Sequence, residues 1–206
     1  MMLKMLYRLP RHPIDTFYDL KYKKDKKWWL PAIVALFGFL LVSIIEFQYT
    51  DFVFNSNRVD RLNIGILLFR TIILFILWVI SNWSFCTLFD GEGTLLQIFC
   101  LSALSLIPYE VSVIIKTLLS QLLIGEEEIF LEWIVLIGIA FSVYLMVTGL
   151  YIVHGYTIKR TIFSILLTVL GILIVLFILT LLFSLVQQFF AFVMTIFTEL
   201  SLMIGG

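Results

Sequence analysis

Residues 63–110 read NIGILLFRTIILFILWVISNWSFCTLFDGEGTLLQIFCLSALSLIPYE. Two apolar runs close around Asp90-Gly91-Glu92-Gly93, a four-residue acidic turn with a glycine after each carboxylate. Each run, the second continuing to about Leu118, is longer than the roughly 20 residues a helix needs to cross the hydrocarbon of a bilayer. In lipid the backbone must satisfy its own hydrogen bonds, so both runs are read as helices, and the glycines permit the tight turn between them. The stretch is therefore an antiparallel transmembrane hairpin, with Pro108 expected to kink its second arm because proline removes a backbone donor.

Working outward, three more stretches qualify, giving spans at 28–47, 63–88, 95–118, 130–153 and 161–185. Composition agrees: of 206 residues 62% are hydrophobic and 14% charged, more apolar surface than a soluble domain of this length can hide. The first apolar run starts at Trp28 without a small-residue cleavage pattern and reads as a retained anchor. Residues 186–206 begin with Gln187-Gln188 and place Phe189, Phe190, Val193, Phe197 and Leu200 at near-helical spacing, which predicts a separate apolar helix at the outer interface. Were it to cross instead, the C-terminus would return to the starting side.

Charge sets the direction. Lys4, Arg8, Arg11, Lys21, Lys23, Lys24, Lys26 and Lys27 precede the first span; with Lys159 and Arg160 they make ten basic residues on one side. Arg58, Arg61 and Lys116 make three on the other. The positive-inside rule then predicts a cytoplasmic N-terminus, an external C-terminus and an acidic turn facing the cytoplasm. After Pro13, the residues Ile14, Phe17, Tyr18, Lys21 and Tyr22 form one helical stripe, which predicts a short amphipathic helix on the inner membrane surface. The lysines that follow fix topology and bind anionic lipid, or dock a protein. The fold class expected is an all-α polytopic membrane protein: a five-transmembrane-helix bundle with an N-terminal interfacial amphipathic helix and a C-terminal apolar interfacial helix, divided at 1–27, 28–185 and 186–206.

Net charge is zero, so no basic field points to nucleic acid. No glycine-rich nucleotide loop, Ser/His/Asp set or metalloprotease helix is present, and no cofactor is expected. Cys86 and Cys100 are expected to be free thiols packed as small hydrophobes. Asp90 and Glu92 admit three readings: a structural clasp, a knob for a partner, or a carboxylate pair for catalysis or metal. Too few oxygen, histidine or cysteine ligands accompany them to make a metal site. His154, Tyr156, Lys159 and Arg160 share their side of the membrane and complete a contact face with Asp90, Gly91, Glu92 and Gly93. Arg70 and Glu110 differ by three residues in distance from the hairpin centre, about 4.5 Å of depth, so they could pair inside the membrane. Alternatively, Arg70 snorkels outward and Glu110 sits at the rim. Arg70, Asn82 and Glu110 would line the polar path of a channel. Glu126-Glu127-Glu128 reads as a solvated loop capping the next helix, and Gly138, Gly149 and Gly171 as helix-packing positions.

The ordered set DTFYDLKYKK, EFQYTDFVFN, NWSFCTLFDGEGT, SLIPY and His154-Gly155-Tyr156, running from about His12 to Gln188, resembles a bacterial member of the Yip1-domain family. The resemblance implies a five-helix bundle with a cytoplasmic N-terminus. Eukaryotic relatives are associated with Rab GTPases and vesicle traffic; similar bacterial proteins are often encoded beside carbohydrate ABC importers. It thus implies a non-enzymatic accessory or scaffold in a plasma membrane, in contact with lipids and with an importer's permease or ATPase. A channel subunit and a membrane-shaping protein are the alternatives. The chain departs from the family at Leu95-Leu96-Gln97, where a charge is expected, and at Ala103-Leu104, where an aromatic is common.

Overall fold

The computed structural model describes residues 8–23, 27–55, 63–124 and 127–204, with side chains as far as Glu199. Lys4, Lys24, Lys26, Arg58, Arg61, Glu126 and Leu200, used in the readings above, lie outside the described residues or side chains. Every regular element among those described is a helix: α1 (Pro13–Tyr22), α2 (Trp29–Tyr49), α3 (Ile64–Leu88), α4 (Leu95–Ser105), α5 (Ile107–Ser120), α6 (Glu128–His154) and α7 (Ile158–Ile204). Five units are long and apolar enough to cross a membrane, namely α2, α3, α4 with α5, α6, and α7. The chain is a multi-pass, all-α membrane protein.

The third span breaks where the sequence places Pro108. Leu106 separates α4 from α5, and Pro108 lies in the first turn of α5, where its missing N–H costs least. The Tyr109 amide donates across the bundle to Ser142 Oγ of α6 at 3.0 Å. At the other end of α4, Thr94 and Gln97 form a reciprocal capping box.

This broken span is the centre of the molecule. Ile98, Cys100, Leu101, Ala103, Leu104 and Val113 are completely buried. α2 and α6 flank it, while α3 pairs with α7 at one side. Along α7 the residues Thr161, Ser164, Thr168 and Gly171 form a buried stripe of small side chains, the spacing at which helices approach closely in lipid. Gly171 faces the Phe85 ring, Gly138 faces Ser112, and Gly149 faces the Phe17 ring. All three glycines are helix-packing positions. Both cysteines are free and buried.

Three expectations are corrected. First, α1 does not present Ile14, Phe17, Tyr18, Lys21 and Tyr22 to one surface. It docks on the bundle, chiefly on α6, through Thr16, Phe17 and Leu20, leaving Ile14, Tyr18 and Tyr22 exposed. Its outward edge is an internally paired ladder, with Arg8 beside Asp15 and Asp19, and Lys23 on Asp19 at 2.8 Å. Second, the C-terminal apolar segment is helical, but it continues the fifth span without a break. No glycine or proline falls between Gly171 and Gly205, so nothing ends the helix. At 1.5 Å per residue its 47 residues extend about 70 Å, roughly twice a bilayer's hydrocarbon thickness. Third, Arg70 and Glu110 do not pair. Arg70 is exposed on α3, whereas Glu110 is buried against α2. The ion pair of this region is Lys116 Nζ with Glu46 Oε1 at 2.6 Å.

Candidate functional site

The α1 end, the α3–α4 turn and the α6–α7 turn meet at one end of the bundle, hereafter the lysine-rich end. At the close of α3 the Cys86 carbonyl lacks a helical partner, as terminal carbonyls do. It accepts from the amides of Phe89 (3.1 Å) and Gly91 (2.7 Å) and from the Tyr156 hydroxyl (2.8 Å). That hydroxyl also lies 3.0 Å from the Phe89 carbonyl. Burial pushes the Tyr156 phenol up to about 12, so it stays a neutral donor throughout the physiological range. α6 ends at Gly155, whose φ of 69° suits glycine. The reversal lets the Tyr156 amide reach back to the Tyr151 carbonyl at 3.2 Å and lays the Tyr156 ring against His154, centroids 5.3 Å apart.

Beneath the turn runs a buried polar relay. Asn82, fully buried, donates through Nδ2 to Thr168 Oγ1 (3.1 Å), which donates to the Ser164 carbonyl (2.8 Å). The Asn82 Oδ1 is then left to accept from His154 Nε2 at 3.2 Å, placing the histidine proton on that nitrogen. The channel alternative puts Asn82 on a polar path with Arg70 and Glu110. Asn82 is enclosed here, joining α3, α6 and α7, while Arg70 is exposed on α3 and Glu110 is buried against α2.

The two glycines are packing positions as much as turn residues. A Cβ on Gly91 would lie 2.7 Å from His154 Nδ1, 2.7 Å from the Tyr156 hydroxyl and 2.8 Å from the Cys86 carbonyl. One on Gly93 would lie 2.8 Å from both His154 Cε1 and Val153 Cγ1. The carboxylates, by contrast, point outward. Asp90 is 94% exposed and only 3.9 Å from Arg160, itself half exposed over the Tyr156 ring. A pair so exposed contributes about 0–1 kcal/mol. Lys159 is exposed and makes no contact with the cluster among the described residues.

Glu92 has a partner that sequence reasoning missed. Lys21 Nζ of α1, its side chain only 9% exposed, lies 2.6 Å from Glu92 Oε2. The Lys21 carbonyl accepts from Gln97 Nε2 at 3.1 Å. Gln97, one of the departures from the family pattern, thus caps α4 and ties α1 to it. Nothing in the sequence pairs Lys21 with Glu92, 71 positions away; the one available signal is that Lys21 follows Phe17 by four residues on the same stripe. The three turns form a clasp closed by Lys21–Glu92.

The model of the Yip1 domain matches residues 7–182. The chain belongs to the Yip1 domain family. The match begins ahead of α1 and ends within α7, so the family's domain takes in the whole clasp, the first four spans and the greater part of the fifth, while the distal part of α7 lies beyond it. Neither a curated protein nor a solved structure matches the chain.

The Lys21 hydrogen bond, followed by its charge, holds the Glu92 carboxyl below its usual range. A lowered carboxylate stabilises the fold above its unfolded value of 4.5, and that contribution is lost as pH falls through the folded value. Glu92→Gln is therefore expected to lower the unfolding midpoint in detergent at neutral pH and to match the wild type in acid. Parallel curves across the whole range would show that the contact adds no stability.

Proposed function

We infer that the protein is a non-enzymatic scaffold of a bacterial plasma membrane, which docks another membrane complex through the lysine-rich end. The observation that supports this is the division of labour in the clasp. Beneath the turn, His154 Nε2, the Tyr156 hydroxyl, the Cys86 carbonyl and the Asn82 amide are engaged in buried structural bonds, and His154 Nδ1 is enclosed without a partner. The charges of Asp90, Glu92, Lys159 and Arg160 remain on the surface above them. A rigid base with a mixed-charge rim suits recognition by complementary charge. The partner class that the family's bacterial members suggest is a carbohydrate ABC importer, through its permease or ATPase. The charge asymmetry supports a cytoplasmic face for this end, with the N-terminus inside.

The test is recovery of a partner with the tagged protein from mild detergent. Asp90→Lys combined with Arg160→Glu is expected to lower that recovery while leaving the unfolding midpoint unchanged, because neither side chain holds the clasp together. Undiminished recovery would remove the rim from the interface, and recovery of lipid alone would remove the scaffold reading.

A further inference from the structure

We propose that Glu110 is a proton-binding site in the membrane interior, a carboxylic acid that keeps its proton while α2 and α5 are packed together. Glu110 is 8% exposed, and its Oε1 has no hydrogen-bond partner. Its Oε2 occupies the space over Gly38, where a Cβ would lie 2.7 Å away. α2 has this single glycine, so the carboxyl sits in the one place along α2 where no side chain stands.

An ionised carboxylate in such a place needs a cation or a set of donors, since an unpaired buried charge is far more costly than a neutral acid. Lys116, two turns outward on α5, is bound to Glu46 of α2 at 2.6 Å. Arg70 is exposed on α3, which is not packed on α5. From α6, Glu128 and Glu132 line a cleft with Lys116 and add only negative charge. α4 carries no titratable side chain but Cys100, and the remaining titratable neighbour, Tyr109, precedes Glu110 on α5. At the start of α5, Pro108 has no amide hydrogen, the Tyr109 amide goes to Ser142, and the Glu110 amide goes to the Leu106 carbonyl at 3.0 Å. Of the α5 hydroxyls, Ser112 is turned to the Tyr109 carbonyl and Ser120 to that of Thr117, while Thr117 Oγ1, seven residues along from Glu110, is buried without a partner and gives the carboxyl no bond either. The bound proton removes the charge that the seam cannot accommodate. Its release therefore requires α2 and α5 to part at Gly38, next to the break at Leu106, which couples proton occupancy to the closure of this seam.

A membrane-soluble carbodiimide reacts with protonated carboxyls in lipid, and a water-soluble one reaches those in water. With the full-length protein in liposomes at neutral pH, dicyclohexylcarbodiimide is expected to label Glu110, read by peptide mass, and the water-soluble reagent is not. The infrared spectrum should contain a carboxylic acid C=O band that is lost in Glu110→Gln. If that variant fails to fold, loss of the same band on labelling of the wild-type protein serves in its place. An absent band, or labelling at Glu46 or Glu132 with Glu110 untouched, would overturn the proposal.

Discussion

Phe17→Ala is expected to release α1 from the bundle. Phe17 heads the fully buried side chains by size, and its ring lies against Gly149 of α6 and beside Leu101 of α4. Emptying such a site typically costs about 3–5 kcal/mol. Among the described residues, the other ties of α1 to the bundle include the buried Leu20 and Thr16, the Lys21–Glu92 contact, and the Gln97 bond to the Lys21 carbonyl. A ten-residue helix is too short to persist alone in water, so losing its anchor should unfold or detach the element rather than loosen it. Hydrogen exchange of amides 13–22 should accelerate, with α3 and α7 protected as before. Tyr18→Ala provides the contrast, because Tyr18 is 56% exposed and its removal should change stability by no more than about 0.5 kcal/mol. Equal exchange in both variants would mean that α1 is held by something other than Phe17.

Phe17 also shows where sequence reading stops. The predicted stripe and the observed buried face share it, yet the predicted stripe continues through Tyr18 and Tyr22 and the real face through Thr16 and Leu20. Hydrophobicity separates apolar surface from water, but lipid is as apolar as a protein interior, so it cannot say which apolar side of a helix meets protein. The spans needed only the first distinction: their number and the break at Pro108 were legible from run length and proline chemistry. The Arg70–Glu110 pair needed the second. Depth along a helix follows from counting residues, but rotation about the axis follows from packing, and α5 turns Glu110 toward α2. The same limit hid Lys21 from Glu92 and Asn82 from His154, partners brought together only once α6 and α1 are docked.

Within the acidic turn itself, Gly91→Ala is expected to be far more damaging than removal of either charge. The added methyl would fall within 2.8 Å of the Cys86 carbonyl, a backbone atom held by three donors, as well as against His154 and Tyr156. His154 cannot yield, being 1% exposed and fixed through Nε2 to Asn82. Tyr156 cannot yield without leaving the same carbonyl. Overpacking of this kind costs about 1–3 kcal/mol and more when backbone must move; here the displaced groups also lose buried hydrogen bonds, each worth about 1–3 kcal/mol when a partner is left unsatisfied. Asp90→Gly is the sharpest comparison. Asp90 has φ 57°, a conformation glycine adopts without strain, and its side chain is almost wholly in solvent. The variant should stay within about 1 kcal/mol of the wild type, relief of strain offsetting the greater freedom of the unfolded chain. Unfolding midpoints in detergent, with the Tyr156 and His154 environments followed by NMR, would separate the two. If Asp90→Gly proved the more damaging, the carboxylate and not the packed glycine would hold the turn, and the division between a buried base and a surface rim would fail with it.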